Sequence, residues 1–263
     1  MKGREVSSLQ EKKAAEIILK EFKKIKKFKP LLQHFIYLHP DSLKEKKSSN
    51  VYCFINNHAD STILIGAHYE HIGLGGKLSY SLGKKNQIHN GADDNASGVA
   101  LMLGLSQTFR TWQSRNYNYL FVAYSAHEIG LFGSSSFYGF SKGKFPPICQ
   151  VINFDMVGRL DEKQPVVNVY GIGKGDKATK NQLDSLAFTF KTKIYTEEES
   201  KITDTDCRAF VREGIRCLSF TTGLHSDYHK VSDDEEKINY SGIFKVQMLV
   251  ETLVCKTVQA KKP

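Results

Sequence analysis

The sequence predicts an α/β fold: a three-layer sandwich with a mixed, mostly parallel central sheet flanked by helices. Two observations lead there. The runs TILIGA at 62–67 and YLFVAYS at 119–125 are apolar almost without interruption, the pattern of strands buried on both faces. Strand-like runs also alternate with segments of helical periodicity, which places helices against both faces of a largely parallel sheet. The chain has 263 residues and neither an internal repeat nor a low-complexity linker, so it reads as one domain spanning 1–263.

The elements follow in order. A lysine-rich segment at 8–28 carries Ala14, Ile18, Phe22 and Ile25 at near-helical spacing, the signature of an amphipathic helix with a solvated lysine face. HFIYL at 34–38 and VYCFI at 51–55 read as strands ahead of TILIGA, and a glycine-rich loop spans about 72–92. A helix is predicted from Gly98 to Arg110, then YLFVAYS, a short helix near 131–140 and the strand ICQVINF at 148–154. VVNVYG at 166–171 is a strand, 178–190 a helix, DCRAFVRE at 206–213 helical, CLSFT at 217–221 a strand, and Tyr240 to Val258 the last helix.

The formal net charge of +9 invites an anionic partner, but Lys12, Lys13, Lys20, Lys23, Lys24, Lys26, Lys27 and Lys29 concentrate much of the excess in the first helix. Without a zinc finger, a recognition helix or a base-stacking motif, nucleic acid is not the expected partner. No apolar run approaches the roughly 20 residues that span a bilayer. The five cysteines, Cys53, Cys149, Cys207, Cys217 and Cys255, form no CxxC pair. That argues against a thiolate zinc site and leaves Cys207–Cys217 as the pair a single bridge would use. The N-terminal MKGREVSSLQEKK lacks the apolar stretch of a signal peptide.

The chemistry lies at the strand ends. TILIGA runs into His68, YLFVAYSA into His127 and Glu128, ICQVINF into Asp155, and CLSFTTGLHSDY into His229. GADDNASG brings Asp93 and Asp94 to the start of a helix, where Asp93, Asp94 or Asn95 also suits a capping role. Ligands of parallel sheets bind at the carboxyl ends of strands. A mixed imidazole and carboxylate set gathered there suits zinc, or two zinc ions sharing a carboxylate, better than calcium or magnesium.

The segments GAHYEH, HNGADDNASGVA, SAHEIGLFGS, VINFDMVGR and GLHSDYHKVSDDEEKIN resemble, in order, the motifs of the co-catalytic di-zinc aminopeptidases. That family includes bacterial leucyl aminopeptidases and, more distantly, glutaminyl cyclases and the glutamate carboxypeptidase and transferrin receptor group. The resemblance runs from about Gly3 to the C-terminal helix. It implies that Asp94 bridges two metals across a cis Asp94–Asn95 bond, that His68 and Asp155 complete one metal, and that Glu128 and His229 complete the other. Tyr228 and Asp233 become neighbours that orient His229. Export to the periplasm or the cell exterior, and a monomer acting on peptides or small amino-acyl substrates, are further implications.

Two positions depart from the family pattern. His127 stands where the family carries the glutamate that acts as general base. A neutral imidazole is chemically suited to that role, although it is bulkier, brings no negative charge and can itself bind metal. Glu70 replaces the aspartate that hydrogen-bonds the first histidine ligand, with one methylene more. Of the remaining histidines, His71 and His89 are expected at the surface and His225 in a loop away from the metal. Phe132, Phe137, Tyr138 and Phe220 lie near the expected mouth and suggest hydrophobic N-terminal residues as substrates. The reading is therefore an aminopeptidase in which a carboxylate shell receives the free α-amine. A glutaminyl-cyclase-like acyl transferase and a metal-holding protein that binds peptides without cleaving them are the alternatives.

Overall fold

The computed structural model describes residues 3–25, 28–82, 86–111, 116–173, 175–197 and 201–259. The helices are α1 (Leu9–Lys24), α2 (Gly98–Thr111), α3 (Phe132–Ser141), α4 (Lys177–Phe190), α5 (Arg208–Val211) and α6 (Tyr240–Gln259). The strands are β1 (Leu31–Leu38), β2 (Glu45–Ile55), β3 (Thr62–His68), β4 (Asn118–Tyr124), β5 (Ile148–Phe154), β6 (Val166–Tyr170), β7 (Lys193–Glu197) and β8 (Arg216–Thr221). They form one sheet in the order β1-β2-β4-β3-β5-β8-β6-β7.

The centre of this sheet, β4-β3-β5-β8, is parallel throughout. The antiparallel pairings, β1 with β2, β2 with β4 and β6 with β8, lie outside that block. Every residue of β3 and of β4 is buried, as expected of strands covered on both faces. The period-two alternation splits their side chains between two layers. Ile63 and Ile65 join the cluster formed with α1, α2, α4 and α6. Leu64 turns to the opposite cluster, formed with Phe137 of α3 and Phe210 of α5. This is the expected three-layer arrangement.

The predicted α1 periodicity holds: Ala14, Ile18 and Phe22 are buried while Lys12, Lys13, Lys20, Lys23 and Lys24 are exposed. Ser8 caps it by accepting from Glu11 N. The helix ends at Lys24 rather than 28, where Ile25 leaves the helical backbone at ψ 112°; Lys26 and Lys27 lie outside the described residues. β1 and β2 begin earlier than predicted, because their outer halves are polar or solvent-facing. β7 was not foreseen: KIYTE is short and mostly polar, and it forms only as an edge strand parallel to β6. The predicted helix at 206–213 contracts to the single turn of α5.

Phe22 is wholly buried and its ring lies 6.4 Å from that of Phe121. Phe22→Ala is expected to destabilise the protein by about 3–5 kcal/mol through the cavity it leaves. Lys20→Ala on the solvated face should change stability by no more than about 0.5 kcal/mol. Paired urea titrations read both values.

Candidate metal centre

Because the central strands are parallel, their carboxyl ends lie along one edge. β3 ends in His68, β4 leads through Ser125 and Ala126 to His127 and Glu128, β5 leads to Asp155, and the loop after β8 returns at His229. Asp94 arrives from the turn that opens α2. Sharp turns aim these side chains inward: Ala126, Met156 and His229 all have positive φ, at 57°, 56° and 53°. Non-glycine residues hold such backbone mainly at functional sites. Gly91, at φ 57°, has no alternative, since a Cβ there would lie 2.2 Å from the Asp94 carbonyl oxygen. The Asp94–Asn95 peptide bond is cis, as the resemblance implies. Asn95, rather than either aspartate, caps α2 by accepting from Gly98 N at 3.0 Å.

The two oxygens of Asp94 face different clusters. Oδ1 lies 3.3 Å from His68 Nε2, which is 3.5 Å from Asp155 Oδ1. Oδ2 lies 3.4 Å from His229 Nε2, which is 3.0 Å from Glu128 Oε2. Donors around a tetrahedral zinc, each about 2.0–2.2 Å from it, stand roughly 3.3–3.5 Å apart. The five residues thus offer two candidate donor triads sharing one carboxylate.

The imidazoles fit a metal. His68 Nδ1 bonds the Glu70 carbonyl at 3.2 Å and His229 Nδ1 bonds the Leu78 carbonyl at 2.9 Å. That fixes Nε2 as the nitrogen free to ligate. Both Nε2 atoms are buried without a hydrogen-bond partner, an arrangement that an ion between them and the carboxylates would complete.

His127 enters from beside the first triad. Its Nε2 is 3.8 Å from Asp155 Oδ2, and its Nδ1 bonds Asp206 Oδ2 at 3.0 Å. Its ring stacks on that of His68 with centroids 3.9 Å apart and planes 10° from parallel. A ligating nitrogen directs its lone pair within its own ring plane. Two nearly parallel, stacked rings therefore cannot aim both Nε2 lone pairs at one ion. His68, His127 and Asp155 offer ligand atoms close enough together to hold an ion, but the stacked ring planes set His127 beside, rather than within, a donor set that uses His68. Burial and the neighbouring His68 oppose protonation of His127, but Asp206 and Asp155 outweigh them and push it up to about 9.

The family model for peptidase family M28 matches residues 50–254. The chain belongs to this family. M28 kinship supports a zinc-type peptidase fold. In sequence it is similar to a vacuolar membrane protease of Clavispora lusitaniae, at 23% identity over 223 residues. That match covers 79% of this chain and only 19% of the other protein, so the chain spans about a fifth of that relative. In fold it is similar to a zinc aminopeptidase of Bacillus subtilis, with a TM-score of 0.77, 15% identity, and 97% of this chain and 90% of that one covered. It is equally similar to a glutaminyl cyclase of Fimbriiglobus ruber, with a TM-score of 0.80, 18% identity, and 99% and 90% covered.

Around this M28 centre several expectations are corrected. The Glu70 carboxylate does not hold His68: its nearest oxygen is 3.8 Å from Nδ1, and the Glu70 backbone carbonyl takes that place. Its longer side chain reaches past the ring to accept the backbone N–H of His127 at 2.6 Å and of Glu128 at 3.3 Å. Asp233 does not orient His229 either. It accepts the backbone N–H of Asp93 and of Asp94, each at 3.0 Å, and pairs with Arg159 at 3.0 Å. Tyr228 does support His229, stacking on it at 4.0 Å. His225 stays off the donor triads, 3.1 Å from Asp93.

His71 and His89 are buried, not exposed. His71 Nδ1 lies 2.8 Å from Glu128 Oε1, and His89 bridges Ser79 and the Gln87 carbonyl. Phe137 and Phe220 are fully buried core, Tyr138 packs on Phe210, and Phe132 packs on Tyr37. Cys207 and Cys217 are free thiols.

If each oxygen of Asp94 serves one ion, Asp94→Ala should lose both ions and His229→Ala only one, with elemental analysis of dialysed protein giving the counts. Chelation should lower the melting temperature of the wild type, since an ion held at 100 times its Kd stabilises a fold by about 2.7 kcal/mol.

Proposed function

We propose that the protein is a zinc-dependent aminopeptidase in which His127 takes the role of general base. The observation that carries the reading is the complete pair of donor triads sharing Asp94, with the His127 Nε2 beside one of them. Zinc, when bound, polarises a carbonyl and lowers the pKa of water to roughly 7.

The chain's own residues do the rest. Asp206 accepts from His127 Nδ1; in the metal-loaded site, where dications oppose the charged ring that Asp206 and Asp155 favour, Nε2 presents its lone pair to the cleft. From there His127 removes a proton from the water that attacks the scissile carbonyl and returns it to the departing amine nitrogen. Asp94, Glu128 and Asp155 give a free α-amine an anionic surround, which suits an exopeptidase. Of the aromatic residues that suggested an apolar pocket, Phe137 and Phe220 are core and Phe132 and Tyr138 pack half-buried against it, so the reading names no side-chain preference. Export to the periplasm or cell exterior belongs to the same reading and rests on family likeness. Among the described residues no helix is long and apolar enough to cross a membrane.

The fold likeness to a glutaminyl cyclase supports a second reading, cyclisation of N-terminal glutamine. The retained His68 and Asp155 favour the hydrolase, because the resemblance assigns the cyclases only one metal.

The test is turnover of amino-acyl chromogenic substrates by zinc-loaded wild type, His127→Ala, His127→Glu and Asp206→Asn, with metal counted on each. His127→Ala is expected to keep its metal and lose about 10²–10⁴ in kcat. Asp206→Asn should lower kcat about tenfold or more with KM little changed. A wild type that holds metal and cleaves nothing while cyclising N-terminal glutamine replaces this reading with the second. Gain of cleavage only in His127→Glu would mark a natural protein without peptidase chemistry.

A further inference from the structure

The buried side chain of Arg4 lies beneath the metal centre and belongs to none of its donor sets. Its Nε donates to the Tyr69 carbonyl at 2.7 Å. Its Nη1 donates to the Asn90 carbonyl, and its Nη2 to the carbonyls of Gly91 at 2.7 Å and Asp94 at 3.3 Å. The Arg4 carbonyl in turn accepts the His71 N–H at 3.1 Å. Among the described residues no carboxylate forms an ion pair with it, and every hydrogen bond of the guanidinium is to main chain.

The two segments it joins are the ones that present metal donors. Tyr69 follows His68, and residues 90–94 form the turn that ends in the shared carboxylate. A planar guanidinium with five donors in a fixed fork can serve four carbonyls on two segments at once, whereas an ammonium has three donors and no fixed plane. The seat is close-fitting as well. Gly3, at φ 69°, lies so near residue 73 that a Cβ would be 2.9 Å from the Gly73 oxygen.

We infer that Arg4 is a positioning residue of the metal centre: by clamping the main chain at Tyr69 and at 90–94 it sets the spacing between His68 and Asp94. The inference rests on reading the donor triads as a metal site. It does not depend on the role of His127 or on the reaction catalysed.

The clamp has a thermodynamic signature. A residue that only supports the fold destabilises metal-free and metal-loaded protein equally when changed. One that arranges donors destabilises the loaded protein more, and the difference is the loss of metal affinity. Arg4→Lys keeps the charge and removes the fork. It is expected to weaken zinc and cobalt(II) binding by about 10–100-fold, the range for groups that orient ligands. The loaded form should lose more melting temperature than the metal-free form, and the cobalt(II) absorption spectrum should change.

Chelator competition, paired melts and the cobalt spectrum give the three readouts. Unchanged affinity with equal losses of stability would overturn the inference, as would tighter binding. Should Arg4→Lys fail to fold without metal, Gly3→Ala carries the comparison. It keeps the guanidinium group but shifts the segment that carries it, with weaker affinity again expected and unchanged affinity again overturning. A wild type that binds neither ion would instead remove the metal-site reading itself.

Discussion

The structure turns on a concentration of buried negative charge that needs cations. Asp94, Glu128, Asp155 and Glu70 converge at one sheet edge, and burial alone would drive carboxylates toward their neutral form. The site resists this at the donor positions. Burial opposes ionisation of Asp94, but His71, His229 and His68 outweigh it and hold the group well below its ordinary value. For Glu128, burial and Asp94 push up, yet His229 and His71 bring it down to about 2. Glu70 faces the same forces with weaker compensation: burial and the charge of Glu128 raise it to about 8. Asp94 and Glu128 are kept ionised while Glu70 accepts backbone N–H groups.

That concentration of charge also frames the exchange of glutamate for histidine at 127. A carboxylate base would add a further negative charge to the cluster, whereas neutral imidazole adds none. Dications would disfavour the protonated imidazole needed in the second half of proton transfer. Asp206 acts against that penalty, because its buried carboxylate 3.0 Å from Nδ1 stabilises the charged ring. Stacking on His68 keeps the ring from rotating toward the ion. The substitution is therefore a linked arrangement of three groups rather than a single exchanged letter.

Four of the five candidate donors were legible because a parallel sheet fixes where strands end, and each apolar run led to a residue able to bind metal; Asp94 was legible from GADDNASG at the start of a helix. Supporting residues were less legible, for a common reason. Asp206 and Arg4 act through positions set by the tertiary fold, and nothing in DTDCRAF or GREVSS distinguishes a buried carboxylate or guanidinium from a solvated one. His71 and His89 misled because a glycine-rich loop usually runs on the surface, whereas here it folds over the site. Glu70 misled through length: one methylene moved its carboxylate from the ring of His68 to the backbone of the next strand's turn. β7 and the outer half of β2 were hidden by polar residues, and the start of β1 by two solvent-facing leucines.

The turn carrying Asp94 shows what the remote residues accomplish. Its carbonyls at Gly91 and Asp94 go to Arg4, and its N–H groups at Asp93 and Asp94 go to Asp233. The Asn95 side chain reaches the Phe154 carbonyl at the end of β5. These partners come from the start of the chain, from the centre of the sheet and from the loop before the last helix. A short turn has no secondary structure of its own with which to satisfy so many buried backbone groups. Its conformation is therefore specified only when the whole chain has folded around it. The Asp94 carboxylate is held in place by the protein's own main-chain and side-chain partners.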